Sequence, residues 1–262
     1  MERRVGAGAW FTAAGGLALM APLAFFGVGV VAGVQADGSD RSGEAGVAET
    51  LVAASPSFGW AVLALLGVAV LDVVVACGLW MLFRAQRPGA SALAAAFRIA
   101  YAAVFVGAIA MLADARRIAE AAGGASGLGI EDRDLAVLSR LDGFGAAWSA
   151  GLVLFGMHLV VIGWLVLRRS GVFAIIVGVL VLLAGAGYLA DSMLWVLVPD
   201  GIAVAQFTFI GEIVLIAWLV VGGIRSIRAG REDVAYAAAL DRAPAAHDAP
   251  ASQADATEGA RR

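Results

Sequence analysis

The chain contains no lysine and a single cysteine among its 262 residues, and all eighteen basic side chains are arginines. The missing lysine excludes any mechanism that needs a side-chain Schiff base; the arginine-only usage itself reads as a coding-composition bias. The lone Cys77 excludes an internal disulfide and a thiolate metal cluster, and its place in an apolar run marks it as a packing residue. Charge is scarce too. Only 15% of residues are charged, the net charge is −3, and there is no basic stripe or reader motif, so no nucleic-acid partner is expected. Of the two histidines, His247 sits in the polar tail and only His158 lies in an apolar run, which argues against haem. No HExxH pattern and no motif for ATP, dinucleotide or phosphate is present, so no cofactor is identified.

What the chain has in excess is apolar residues, 61% of the total, with a mean hydropathy of +0.89. A soluble domain carries about 45–50% apolar and about 25% charged residues. The surplus is too large for one water-soluble core and is expected where lipid replaces water. Six runs reach the roughly 20 apolar residues that a spanning helix needs, at 9–34, 58–83, 91–112, 143–167, 171–198 and 202–224. Backbone groups in lipid must bond within their own segment, and no strand-like alternation competes, so the sequence predicts an all-α polytopic bundle. The first run follows Arg3 and Arg4 as a secretory signal would, but it far exceeds the 7–15 residues of such a signal and is expected to remain as a span. The six-helix domain is assigned to 1–228 and a tail to 229–262, disordered after about 243.

Arginine placement orients the bundle. With a cytoplasmic amino terminus, the inner segments hold Arg3, Arg4, Arg84, Arg87, Arg168, Arg169, Arg225, Arg228 and Arg231, while the outer arginines are interleaved with acids. Both termini are then cytoplasmic by the positive-inside rule, and a plasma-membrane, multi-pass protein is expected. Trp10, Trp80 and Trp164 fall near inner ends and Trp60, Trp148 and Trp195 near outer ends, as an interfacial belt would; Trp218 lies deeper. The outer segment 35–57, rich in Gly, Ser, Asp and Glu, reads as a flexible solvated loop. Leucines at helical spacing in 134–141 predict a short helix lying on the outer interface. Gly178 and Gly185, seven apart, place small residues on one helix face and predict close helix approach.

Ionisable residues at membrane depth are costly and face a protein interior or a watery cavity. Four qualify, one each on the second, third, fourth and sixth spans: Asp72, Arg98, His158 and Glu212. At 1.5 Å per residue they lie about 10–20 Å from the inner ends, in one slab where they are able to meet. Tyr101 shares a face with Arg98 and Thr208 with Glu212, while Tyr188 and Asp191 share a face of the fifth span toward its outer end. With both acids ionised, Arg98 charged and His158 neutral, the set carries one net negative charge, which calls for a proton or a cation. The bland readings stand beside this one: Arg98 paired with a carboxylate sets helix register, and His158 is a hydrogen-bonded structural residue. One imidazole with two carboxylates is a weak metal set, and no metal is assigned.

The run Leu71-Asp72-Val73, followed by Pro88 and Ala94-Ala95-Ala96-Phe97-Arg98, resembles the family known as domain of unknown function 4386. So do Gly151 to His158 through Gly163, Arg169-Ser170-Gly171, Ala184 to Asp191, and Ile210-Gly211-Glu212. The resemblance covers about 10–223 and implies a six-span bacterial membrane protein with no known activity. Three functional readings remain open. The first is a non-enzymatic carrier or sensor whose polar cluster binds a small ligand, a lipid headgroup or a proton. The second is an intramembrane enzyme acting on a lipid or isoprenoid, with Glu212 or Asp72 as general acid and His158 as base or metal ligand, which requires the groups to converge on an open cavity. The third is a structural or accessory subunit. The lipid bilayer is the one partner expected in every case.

Overall fold

The computed structural model describes residues 6–40, 46–121, 129–197 and 209–242. Seven helices account for nearly all of them: α1 (Ala7–Asp40), α2 (Val47–Ala53), α3 (Ser55–Phe83), α4 (Pro88–Glu120), α5 (Ile130–Leu167), α6 (Val172–Leu197) and α7 (Phe209–Arg242). Among the described residues there is no strand. Six of the helices are long and apolar enough to cross a membrane, and each contains or overlaps one of the six apolar runs. The chain is a multi-pass membrane protein. Residues 202–208 of the sixth run, and with them Thr208, lie outside the described residues, as does the tail from 243.

The six long helices form a closed ring in chain order. α1 packs on α3, α3 on α4, α4 on α5, α5 on α6 and α6 on α7, and α7 returns to α1. Each helix turns one stripe inward. On α3 the stripe is Leu65, Val68, Ala69, Asp72, Val75, Ala76 and Leu79, all buried at helical spacing. The outward faces carry bare apolar side chains such as Phe25, Val70 and Leu183, which would be untenable in water and belong against lipid. Cys77 also faces outward, contrary to the packing role expected of it; it is one residue past the buried Val75–Ala76 edge of the stripe.

Two seams rest on glycine. A Cβ added to Gly156 would stand 2.9 Å from the Gly185 carbonyl oxygen, and one added to Gly163 would stand 2.9 Å from that of Gly178. The two pairs are a heptad apart on antiparallel α5 and α6, so their backbones meet directly. The expected close approach of Gly178 and Gly185 is therefore present, with Gly156 and Gly163 as its counterparts. Between α1 and α3, Gly78 lies against the Ala13 backbone in the same way.

At the arginine-rich end the connections are short. Pro88 opens α4 after a turn over Arg84–Arg87, and the Ser91 hydroxyl donates to the Trp80 carbonyl (3.0 Å) across it. The α5–α6 turn passes through Gly171 at φ 105°, a conformation that side chains rarely adopt. Arg169 donates to the Leu82 carbonyl at 2.9 Å and lies over the rings of Phe83 and Trp10. Trp10 in turn meets Trp218 at 4.9 Å, where α1 packs on α7. Trp80 and Trp164 lie under the guanidinium groups of Arg84 and Arg168, at 4.9 and 4.7 Å from the ring centres.

The opposite end differs from its sequence reading in three ways. The segment 35–57 is not simply a solvated loop: α1 continues to Asp40, and α2 buries Val47, Ala48, Thr50 and Leu51 against α1, α4 and α5. The leucine-bearing stretch 134–141 is the start of α5, not a separate interfacial helix. At 38 residues α5 is about 57 Å long, well beyond the roughly 30 Å hydrocarbon layer. Trp148 turns inward, its ring tilted against those of Phe105 and Phe144.

One contact joins the first two of these. The N-cap of α2 is Gly46, which has no side chain to cap with, and the Asp134 carboxylate on α5 caps from outside by accepting from the Ala48 N–H at 2.9 Å. Asp134→Ala is expected to cost about 1 kcal/mol and to speed amide hydrogen exchange across 47–53. Unchanged exchange there would show that α2 is held by its apolar face alone.

Candidate functional site

Three of the four predicted ionisable residues meet inside the ring. Arg98 Nη2 lies 2.7 Å from Asp72 Oδ1, and Arg98 Nη1 lies 3.1 Å from His158 Nε2. The exposures are 1% for Asp72, 1% for Arg98 and 0% for His158. Each belongs to the buried stripe of its helix. The hydrogen bonds fix the histidine tautomer. A guanidinium only donates and a carbonyl only accepts, and His158 Nδ1 is 2.8 Å from the Ala94 carbonyl. Nδ1 therefore carries the hydrogen, Nε2 accepts from Arg98, and the ring is neutral. Ala94 and Arg98 are one turn apart on α4, so His158 grips two rungs of that helix.

Arg98 is further enclosed by Met20, whose sulfur is 3.7 Å from Nη2, and by Phe155, whose ring centre is 5.2 Å from Cζ. Asp72 Oδ2 and Arg98 Nε make no hydrogen bond among the described residues, so the pair relies on its single close contact. Opposite charges cancel here in a buried setting, and Asp72, Arg98 and His158 line none of three surface clefts among the described residues.

Glu212 stands apart from the triad. It lies in the first turn of α7, half-buried, and accepts from the Tyr188 hydroxyl of α6 at 2.7 Å. The first turn of a helix favours a negative charge. Among the described residues it forms no ion pair. Phe155 separates the two groups: its ring is 6.1 Å from His158 on one side and 5.3 Å, edge-on, from Tyr188 on the other. Tyr101 does share the face of Arg98, but its hydroxyl accepts from Trp148 Nε1 at 3.0 Å and its ring packs on Phe155. Asp191 is half-buried farther along α6, away from the triad. Met20 and Phe155 are the members that escape sequence reading, since an apolar or aromatic residue inside an apolar run carries no mark of its neighbours.

The result is a layer to which every ring helix contributes: Met20 from α1, Asp72 from α3, Arg98 from α4, His158 and Phe155 from α5, Tyr188 from α6 and Glu212 from α7. Among the described residues no three His, Cys, Asp or Glu side chains lie close enough to hold a metal.

A sequence model of a family described as a domain of unknown function (DUF4386) matches residues 12–223, which takes in the whole layer. An uncharacterised protein of Archaeoglobus fulgidus is 30% identical over 154 residues, covering 59% of this chain and 78% of its own length. No solved structure matches.

Proposed function

We propose a function on the premise that the chain belongs to the DUF4386 family, whose description brings no activity: it is a non-enzymatic carrier or sensor in which Glu212 binds a proton or a small cation. One observation carries this reading. The Asp72 charge is cancelled by Arg98 and the His158 ring is neutral, so the net negative charge of the layer rests on Glu212, whose hydrogen-bond donor is an uncharged phenol. A carboxylate at membrane depth without a cationic partner calls for a neutralising ligand. The Asp72–Arg98–His158 triad then fixes the frame, and the Glu212–Tyr188 pair responds within it. The arginine distribution supports a plasma-membrane location with the arginine-rich end in the cytoplasm. The acid–base enzyme requires an open cavity at the converged groups, and the three clefts formed by the described residues at 28–195, 56–120 and 10–229 lie elsewhere.

Infrared difference spectra of the protein in liposomes, recorded across a pH series, test the proposal. A protonated-carboxyl band that vanishes in Glu212→Gln and shifts in Tyr188→Phe is expected, with proton uptake by a trapped dye lost in the first variant. Identical spectra and uptake in wild type and Glu212→Gln would remove Glu212 from any such role.

A further inference from the structure

We infer that the cleft at the end opposite the arginine-rich turns binds an organic ammonium ion, separately from Glu212 and the polar layer. The cleft, of about 610 Å³, lies between the later turns of α1, the early turns of α5 and the last turns of α6. That size suits a small molecule, whose sites span roughly 300–1,000 Å³. Its walls combine two features that together select a cation with an apolar body. Phe144, Trp148 and Trp195 line it with aromatic rings, and Asp142 lines it with a carboxylate. The faces of aromatic rings, indole above all, attract ammonium groups, and a carboxylate pairs with them directly.

The placement of these groups matches an amphipathic ligand. Asp142 is exposed and directly precedes the apolar run 143–167, whereas Phe144 is buried and Trp148 half-buried. The charge therefore stands at the mouth and the rings lie deeper. Trp195 lines the same cleft from α6 and is 46% exposed. Gln35 of α1 adds an amide oxygen able to accept from a primary or secondary ammonium. The walls are held in place before any ligand arrives. The Trp148 N–H donates to the Tyr101 hydroxyl at 3.0 Å, which fixes the indole. The Ser192 hydroxyl shares its hydrogen between the Ser149 carbonyl at 3.0 Å and the Tyr188 carbonyl at 2.9 Å, tying α5 to α6 beside both tryptophans. Such bracing lowers the ordering cost of binding. A hard metal ion takes six or more oxygens, so a carboxylate set among rings and valine side chains fits an organic cation better.

Ammonium groups reach the cleft from two sources, a free amine or quaternary ammonium compound, or the headgroup of an ethanolamine phospholipid. Both are tested on the full-length protein in mild nonionic detergent. Calorimetric titration with phenyltrimethylammonium at mildly alkaline pH reads the free arm. N,N-dimethylaniline, uncharged there and close in shape, is the comparison. Native mass spectrometry with equal phosphatidylethanolamine and phosphatidylglycerol in the micelle reads the lipid arm, since both carry a phosphate and only the first an ammonium. The variants are Asp142→Asn and Trp195→Leu. Glu131→Gln is the control, an exposed acid of the same helix that does not line the cleft.

Saturable binding of phenyltrimethylammonium is expected, at least about tenfold tighter than that of N,N-dimethylaniline. Asp142→Asn should weaken it about fivefold and Trp195→Leu about threefold, with the control unchanged. That result assigns a free organic cation. Selective retention of phosphatidylethanolamine with the same variant pattern assigns a lipid headgroup. Failure of both arms overturns the site, as do equal losses in the control and the cleft variants. Equal affinity for the charged and neutral probes without a lipid preference overturns it too. Asp142 and Trp195 are exposed, so their replacement leaves the fold intact and melting temperature confirms it.

Discussion

Arg98→Ala is expected to cost the protein about 3–5 kcal/mol, a large share of the roughly 5–15 kcal/mol that holds a typical folded chain together. The residue is fully buried, its one ionic contact among the described residues is Asp72 at 2.7 Å, and its other terminal guanidinium nitrogen serves His158. Truncation leaves an ionised carboxylate with no partner in a dry interior and leaves the acceptor nitrogen of His158 unsatisfied. Heating in detergent should show a much lower midpoint, and little monodisperse protein should be recovered. The companion test is Asp72→Asn together with Arg98→Gln. Two neutral amides remove both charges at once, so the double variant should be more stable than Arg98→Ala by at least about 2 kcal/mol, the penalty for an uncompensated buried charge. If it is no better, the cost of losing Arg98 is one of packing against Phe155 and Met20 rather than of charge.

The second large effect is steric. At Gly156, Gly163, Gly178 and Gly185 even a methyl group meets opposing backbone atoms at 3.0 Å or less. Backbone does not rotate aside as a flexible side chain does. Gly156→Ala is expected to destabilise by about 1–3 kcal/mol, and Gly156→Leu should prevent α5 and α6 from docking at all. Gly145→Ala and Gly29→Ala provide the contrast, as neither Cβ would meet anything within 4 Å. They should be neutral or slightly stabilising, because alanine holds a helix better than glycine does. Equal melting temperatures for Gly156→Ala and Gly145→Ala would show that the seam yields without cost.

The sequence is most readable where one physical rule dominates. Apolar length alone locates the spans, because nothing else satisfies the backbone in lipid. Depth alone predicts that Asp72, Arg98 and His158 share a slab, and the ring brings them into contact. Depth does not give the position around a ring, and that is why Glu212, at a similar level, sits beyond Phe155 with Tyr188 instead of with Arg98. The outer end misleads for a different reason. Gly, Ser and acidic residues in 35–57 suggest solvent, yet Val47, Ala48 and Leu51 form one small apolar face, and its cap comes from Asp134, 86 residues away from Ala48. No local pattern reveals a cap supplied from another helix. Height alone assigns Trp148 to the lipid boundary, whereas the hydroxyl of Tyr101 draws its N–H inward.

Helix order around the ring repeats helix order along the chain, and this bears on how the protein is made. Spans emerge from the ribosome in sequence, so α3 carries Asp72 into the membrane directly before α4 brings Arg98. The two opposite charges enter as neighbours in a hairpin, and neither has to rest in hydrocarbon alone while later spans are synthesised. His158 arrives next and completes the triad before α6 and α7 exist. The joint between α1 and α7, where Trp10 meets Trp218, is the seam that links the two ends of the ring. Until the final span is inserted the assembly is an open arc with its charges already neutralised, and the last helix fastens it.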